Sequence, residues 1–128
     1  MRKLWILLLG GVLMACTSYA EETVVQKNII QDDQIYFFTM DGCPHCEDAK
    51  GYLKRNYPDL KIKEREISDS KNRKYFYACG AKFGLKRYQL GTPLFCMGDH
   101  YILGWGWGDD ARFDKYIQPF LAEDDQGM

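Results

Sequence analysis

Residues 35–46 read Ile35-Tyr36-Phe37-Phe38-Thr39-Met40-Asp41-Gly42-Cys43-Pro44-His45-Cys46. The run from Ile35 to Phe38 is short, apolar and aromatic, consistent with a buried strand. Pro44 then starts a helix at its first turn, where a missing N–H costs nothing. Cys46, Ala49, Leu53 and Tyr57 recur at spacings of three and four and form one apolar face. Pro58 stops the helix.

This arrangement places Cys43 at a helix N-terminus. Unpaired backbone N–H groups and the helix dipole stabilise an anion there. The thiolate is the attacking form of cysteine, so such a site creates a nucleophile at neutral pH. Cys46, one turn on, is placed to resolve a mixed disulfide formed at Cys43. Pro44 fixes the helix start, and His45, when protonated, adds positive charge beside the sulfur. About 1.4 kcal/mol of stabilisation of the reduced, anionic form makes the disulfide more oxidising by roughly 30 mV. Glu47 and Asp48 act against the anion at short range.

Outward from this segment the chain reads as alternating elements. Residues 61–67 hold five charges in seven positions, which suits an edge strand better than a sheet interior. Ser68 or Asp69 caps a helix with Phe76, Cys79 and Phe83 as its core face and Gly84 at its end. Residues 93–97 form a buried strand, and Gly98-Asp99 turns it into Tyr101-Ile102-Leu103. His100 follows that turn as an exposed hairpin residue. Asp109-Asp110 open a last helix with Phe113, Tyr116, Ile117 and Phe120 or Leu121 facing inward. Residues 23–30 lean to a short helix. A strand-helix-strand half followed by a hairpin and a helix implies a four-stranded mixed sheet of α/β class with helices on both faces.

The first residues are set apart from this domain. Met1-Arg2-Lys3 is basic, residues 4–15 are largely apolar but too few to span a bilayer, and small residues follow. That order reads as a secretory signal over residues 1–20, with the folded domain at 21–128. Ser18-Tyr19-Ala20 suits cleavage before Glu21. Leu13-Met14-Ala15-Cys16 is the competing lipobox reading, in which a lipidated Cys16 would tether the chain to a membrane. An exported, periplasmic location is therefore expected, where thiols form disulfides.

The whole chain of 128 residues is one domain in length, and 46% hydrophobic residues exclude disorder as its main state. A net charge of −1 gives no electrostatic case for binding nucleic acid. Removing Arg2 and Lys3 leaves 15 basic and 18 acidic residues.

Cys43-Pro44-His45-Cys46 after a strand and before a helix, followed about fifty residues later by Gly91-Thr92-Pro93, resembles the thioredoxin-fold superfamily. The resemblance covers the mature chain. It implies a thioredoxin-like fold, a cis Thr92-Pro93 bond facing the dithiol, and a Thr92 backbone that pairs with an extended substrate. Within the superfamily, the compact size and the Gly-Asp-Asp start of the last helix resemble glutaredoxins. The exported context and Cys-Pro-His-Cys resemble the periplasmic disulfide-bond oxidoreductases, without their large helical insertion. Residues 39–42 lack the basic residue that glutaredoxins usually carry before the dithiol, and Gly91-Thr92-Pro93 stands where they have Thr-Val-Pro, so glutathione is a weakly supported partner. The acid buried in the first strand of thioredoxins has no counterpart in residues 35–38.

The expected chemistry is thiol-disulfide exchange, with Cys43 attacking, Cys46 resolving, His45 and Pro44 tuning, and Thr92 with Pro93 shaping the substrate groove. The partners are cysteines of exported proteins or of a redox relay; no cofactor is needed. A zinc ribbon would require a second Cys-x2-Cys pair, and Cys79 and Cys96 are seventeen apart. Those two cysteines are either small core residues or a structural disulfide. Trp105 and Trp107 read first as packing residues and second as an apolar substrate contact. Lys82, Lys86 and Arg87 read as a solvated helix end. A different class of reading is a non-catalytic binding module with a permanent Cys43–Cys46 disulfide.

Overall fold

A computed structural model describes residues 29–121. The signal segment, Cys16 and most of the helix expected over 23–30 lie outside the described residues; Ile29 and Ile30 form a turn and a bend. The elements in order are β1 (Ile35–Thr39), α1 (Pro44–Asn56), β2 (Lys63–Glu66), α2 (Ser70–Lys82), a 3-10 turn (Arg87–Gln89), β3 (Leu94–Met97), β4 (His100–Leu103) and α3 (Asp109–Tyr116).

The strands form a four-stranded mixed sheet in the order β2-β1-β3-β4. β1 pairs parallel with β2 and antiparallel with β3, and β3 pairs antiparallel with β4. Side chains alternate across a strand, so β1 and β3 each feed two cores. Ile35, Phe37, Phe95 and Met97 face α1 and α3, where Ala49, Leu53, Phe113 and Ile117 close one core. Tyr36, Phe38, Leu94 and Cys96 face α2, where Phe76, Ala78 and Cys79 close the other. This is the expected arrangement, with helices on both faces. Both central strands are buried on both sides, which is why they read as unbroken apolar runs.

β2 is indeed an edge strand, but it is not simply solvated. The Arg65 guanidinium lies 4.0 Å above the Tyr75 ring and donates to Asn72 Oδ1 at 3.0 Å. Asp69 caps α2, its Oδ1 accepting the N–H groups of Lys71 (2.8 Å) and Asn72 (3.3 Å). At the other end Gly84 has φ +72°, and the N–H groups of Gly84 and Leu85 donate back to the carbonyls of Ala81 and Gly80. That pairing ends the helix in a Schellman motif, which favours glycine. A Cβ on Gly80 would stand 2.8 Å from Leu90 Cδ1, so the glycine lets Leu90 seat directly on α2. Leu90 in turn leads into residues 91–93.

The basic cluster at the end of α2 differs from expectation. Lys82 pairs with Asp32 and donates to the Gly98 carbonyl at 2.6 Å, tying α2 to the β3–β4 turn. Arg87 stacks 4.1 Å above Tyr77. Phe83 is half-buried and meets Tyr101 at a centroid distance of 4.9 Å. His100 is exposed as expected, yet its ring stacks on Tyr116 at 4.1 Å.

Between α1 and α3 the Asp114 carboxylate accepts the hydroxyls of Tyr52 and Tyr57. Burial and these bonds push Tyr57 up to about 12 and Tyr52 higher still, so both remain neutral donors across the physiological range.

Cys79 and Cys96 form a disulfide joining α2 to β3, with Cα atoms 6.2 Å apart. Of the two readings open from sequence, the bonded one is realised. Closing a loop of this length is worth about 3 kcal/mol in the chain-entropy account. The Cys79→Ala/Cys96→Ala double variant is therefore expected to lose about 3 kcal/mol of unfolding free energy in urea titrations of the oxidised protein. An unchanged midpoint would show that the bond contributes nothing.

Candidate active site

Cys43 is the N-cap of α1. Its backbone is extended (φ −96°, ψ 105°), and its own N–H donates to the Met40 carbonyl at 3.2 Å. Gly42, at φ +77°, supplies the left-handed turn that brings the chain from β1 into this cap. The Sγ atom accepts the N–H of Cys46 at 3.2 Å, in the role an Asp or Ser oxygen plays at an ordinary cap. Pro44 occupies the first helical turn, as the sequence suggests.

Thr92 approaches the same sulfur from the other side of the site. Its hydroxyl donates to Cys43 Sγ at 3.6 Å, and its carbonyl oxygen lies 3.6 Å from that atom. The Thr92–Pro93 bond is cis. The Pro93 carbonyl is taken by the N–H of Gly104 at 2.7 Å, which anchors the loop after β4 to the start of β3. Thr92 therefore stands beside the dithiol, with Pro93 next to it in the chain.

Cys43 and Cys46 are joined as a disulfide, with Cα atoms 5.2 Å apart. Their exposures differ. Cys43 is half-exposed, whereas Cys46 is 0% accessible. An incoming sulfur can therefore reach Cys43 and not Cys46. On reduction, a Cys43 thiolate would receive the Cys46 N–H, the Thr92 hydroxyl and the helix dipole. The Thr92 carbonyl opposes them, because it can accept only from the protonated thiol. Hydrogen bonds to a charged group contribute about 1.5–3 kcal/mol and a helix terminus up to about 2 kcal/mol when partly buried. Two donors and a dipole against one carbonyl, at the same 3.6 Å as the Thr92 hydroxyl, favour the anion.

Pro44 and His45 are exposed on the first turn of α1, and among the described residues the His45 ring makes no hydrogen bond. Glu47 and Asp48 are also exposed, and Glu47 pairs with Lys50 at 3.3 Å. Exposed charges of this kind are screened and act weakly on the sulfur.

The two tryptophans divide. Trp105 packs on Phe95, Tyr52 and Phe113 at centroid distances of 5.7, 5.5 and 6.2 Å. Trp107 is fully exposed and so is not a packing residue. Asp109 builds the turn that displays it. This residue is 7% exposed, its Oδ2 accepts the Gly106 N–H at 2.8 Å, and its Oδ1 pairs with Arg112 at 2.7 Å. Sequence reading takes Asp109 only as a helix opener; the Asp109–Arg112 spacing of three was the available signal. Met40, just before the dithiol, is 48% exposed, and the sequence reading passed over it.

Among the described residues no group of three or more His, Cys, Asp or Glu is placed to hold a metal ion.

No protein-family model matches the chain, and no curated protein sequence matches it at a significant level. Solved structures do resemble it. A buckwheat glutaredoxin–glutathione complex superposes with a TM-score of 0.53 at 18% identity, covering 80% of this chain and 93% of that one. The holo form of glutaredoxin C1 from Populus tremula x tremuloides gives 0.53 at 16% identity, over 84% and 93%. A glutaredoxin from Archaeoglobus fulgidus gives 0.50 at 19% identity, over 66% and 86%. The chain thus has a thioredoxin-like fold, the fold of these glutaredoxin structures. On that fold it carries a Cys43–Cys46 disulfide at the head of α1.

Reduced Cys43 is expected to titrate below the ordinary thiol value of ~8.5. Replacing Thr92 by valine removes one donor and is expected to raise that value. The pH dependence of iodoacetamide alkylation measures both; a midpoint at or above ~8.5 in the parent protein contradicts the account.

Proposed function

We propose that this chain is an exported thiol-disulfide oxidoreductase that exchanges disulfides with protein thiols through Cys43 and Cys46. The observation carrying this reading is the Cys43 sulfur, half-exposed at a helix N-terminus, with two donors on it and a buried partner sulfur one turn away.

In the reducing direction the Cys43 thiolate attacks one sulfur of a substrate disulfide. The substrate S–S bond breaks, its far sulfur leaves as a thiolate and takes a proton, and a mixed disulfide forms. Cys46 loses its proton and attacks the Cys43 sulfur, releasing the second substrate thiol and closing the Cys43–Cys46 bond. Two electrons pass to the substrate. The same steps in reverse oxidise a substrate dithiol. Thr92 borders the site and offers its backbone to an extended substrate, while Pro93, whose carbonyl is taken by Gly104, shapes the groove beside it. His45 adds positive charge beside the sulfur when protonated. Direction follows the potential of the pair: a value near about −120 mV makes an oxidant and one near about −270 mV a reductant.

Cysteines of exported proteins, or of a redox relay partner, are favoured over glutathione as substrates. Residues 39–42 carry no basic side chain, and Gly91-Thr92-Pro93 stands where glutaredoxins usually have Thr-Val-Pro. Export to the periplasm rests on the order of basic, apolar and small residues in 1–20, with cleavage after Ala20.

Two tests apply. Cys43→Ser is expected to abolish exchange with protein disulfides, while Cys46→Ser attacks once and accumulates a mixed disulfide. A Cys43–Cys46 bond inert to every thiol reductant would instead favour a non-catalytic module. Mass spectrometry of the protein expressed in a Gram-negative bacterium is expected to find Glu21 as the mature N-terminus; a product beginning at lipid-modified Cys16 overturns that processing.

A further inference from the structure

An open groove of about 740 Å³ runs along α1, between that helix and the loop leading into α3. Glu47, Asp48 and Arg55 line it on α1, and Trp105, Trp107 and Asp110 line it on the opposite side. Glu47 directly follows Cys46 in the chain, so one end of the groove lies within a helical turn of the dithiol. From residue 47 to residue 55 a helix advances about 12 Å, the span of roughly four extended residues.

Three features of the groove call for an occupant. Trp107 is a large apolar side chain held fully exposed over it. Its display is built: the Asp109 carboxylate holds the Gly106 N–H, the Asp109 N–H donates to the Gly106 carbonyl at 3.1 Å, and Gly108 takes φ +91°. The groove floor is Gly51, a glycine inside a helix, where alanine would be more stable. A Cβ there would meet Arg55 Nη1 at 3.0 Å and lift the guanidinium into the groove.

The charge of the lining states what fits. Three carboxylates face one guanidinium. Lys50 offsets Glu47, but Asp48 and Asp110 make no ion pair among the described residues. A cationic side chain between these carboxylates would share the groove with Trp107, the ring type that attracts cations best. We infer that this groove selects polypeptide substrates carrying Lys or Arg beside the reacting cysteine. The inference deepens the proposed exchange activity and rests on it.

The test uses the whole mature protein and two synthetic peptide disulfides, one with lysines and one with glutamates on both sides of the cysteine. At low ionic strength kcat/KM is expected to be about tenfold higher for the lysine peptide, and the ratio to fall as salt rises. The Asp48→Asn/Asp110→Asn variant is expected to reduce the ratio to within about twofold, and Trp107→Ala to lower kcat/KM for the lysine peptide about threefold. Equal kcat/KM for both peptides in the parent protein, with hydroxyethyl disulfide still turned over, overturns the inference and leaves the exchange activity standing. Failure with all three disulfides overturns the activity. The groove is then judged by a lysine peptide with serine for cysteine: a tryptophan fluorescence change that Trp107→Phe abolishes supports it, and no change overturns it.

Discussion

The chemistry of the site depends on one contact, the Cys43 sulfur accepting the Cys46 N–H. A cap must sit where the chain leaves a strand and enters a helix, and here that point is set by the sheet. β1 and β3 run antiparallel with Phe38 opposite Leu94, so the end of β1 and the start of β3 lie at the same edge. The four residues after Phe38 and Thr39 turn through Gly42 to the cap, while Thr92 and Pro93 come in from the other strand. Sulfur and threonine meet because two central strands are paired in that register. A one-residue slip would reverse every side chain on β3 and turn Leu94 and Cys96 into the core of α1 and α3, away from Cys79 on α2.

Each neighbour of the site is fastened to the core by a different kind of interaction. Thr92 and Pro93 are reached through Leu90, which seats against α2 because Gly80 has no side chain. Cys96, on the strand that follows Pro93, is bonded to Cys79 on α2. The loop over the groove is held by Trp105, one of an aromatic group with Phe95, Tyr52 and Phe113. A helix cap is a small term, about 1 kcal/mol, and would not hold the geometry alone. Large buried rings and a covalent bond keep the partners of Cys43 in place, which leaves the cap free to act on charge.

Much of this was legible in the chain. Strands 35–39 and 94–97 are unbroken apolar runs bounded by turn residues, because both faces of each are covered. Pro44 and Asp69 mark helix starts by chemistry that acts within a few residues. Contacts made by distant residues were not legible. Lys82 looked like a solvated helix end because Asp32 and the Gly98 carbonyl, its partners, are separated from it in sequence. Trp105 and Trp107 share a Gly-Trp-Gly setting, and their opposite fates depend on the position of α1 and on the Asp109 carboxylate. Whether Cys79 and Cys96 bond depended on a Cα separation that spacing alone does not give.

The difference in burial between the two sulfurs gives the site its order of events. The sequence places the helix start between two cysteines three residues apart, but it does not show how much of each sulfur is accessible. The cap does. Cys43 stands outside the helical ladder with its sulfur turned back over the first turn, whereas Cys46 is inside the ladder on the face that carries Ala49 and Leu53 into the core. Burial opposes ionisation of Cys46, since an anion in an apolar setting is costly. It also ensures that the one sulfur Cys46 can reach is Cys43. The same helix therefore makes one thiol an accessible nucleophile and the other a sheltered one, and the mixed disulfide can be resolved only from within.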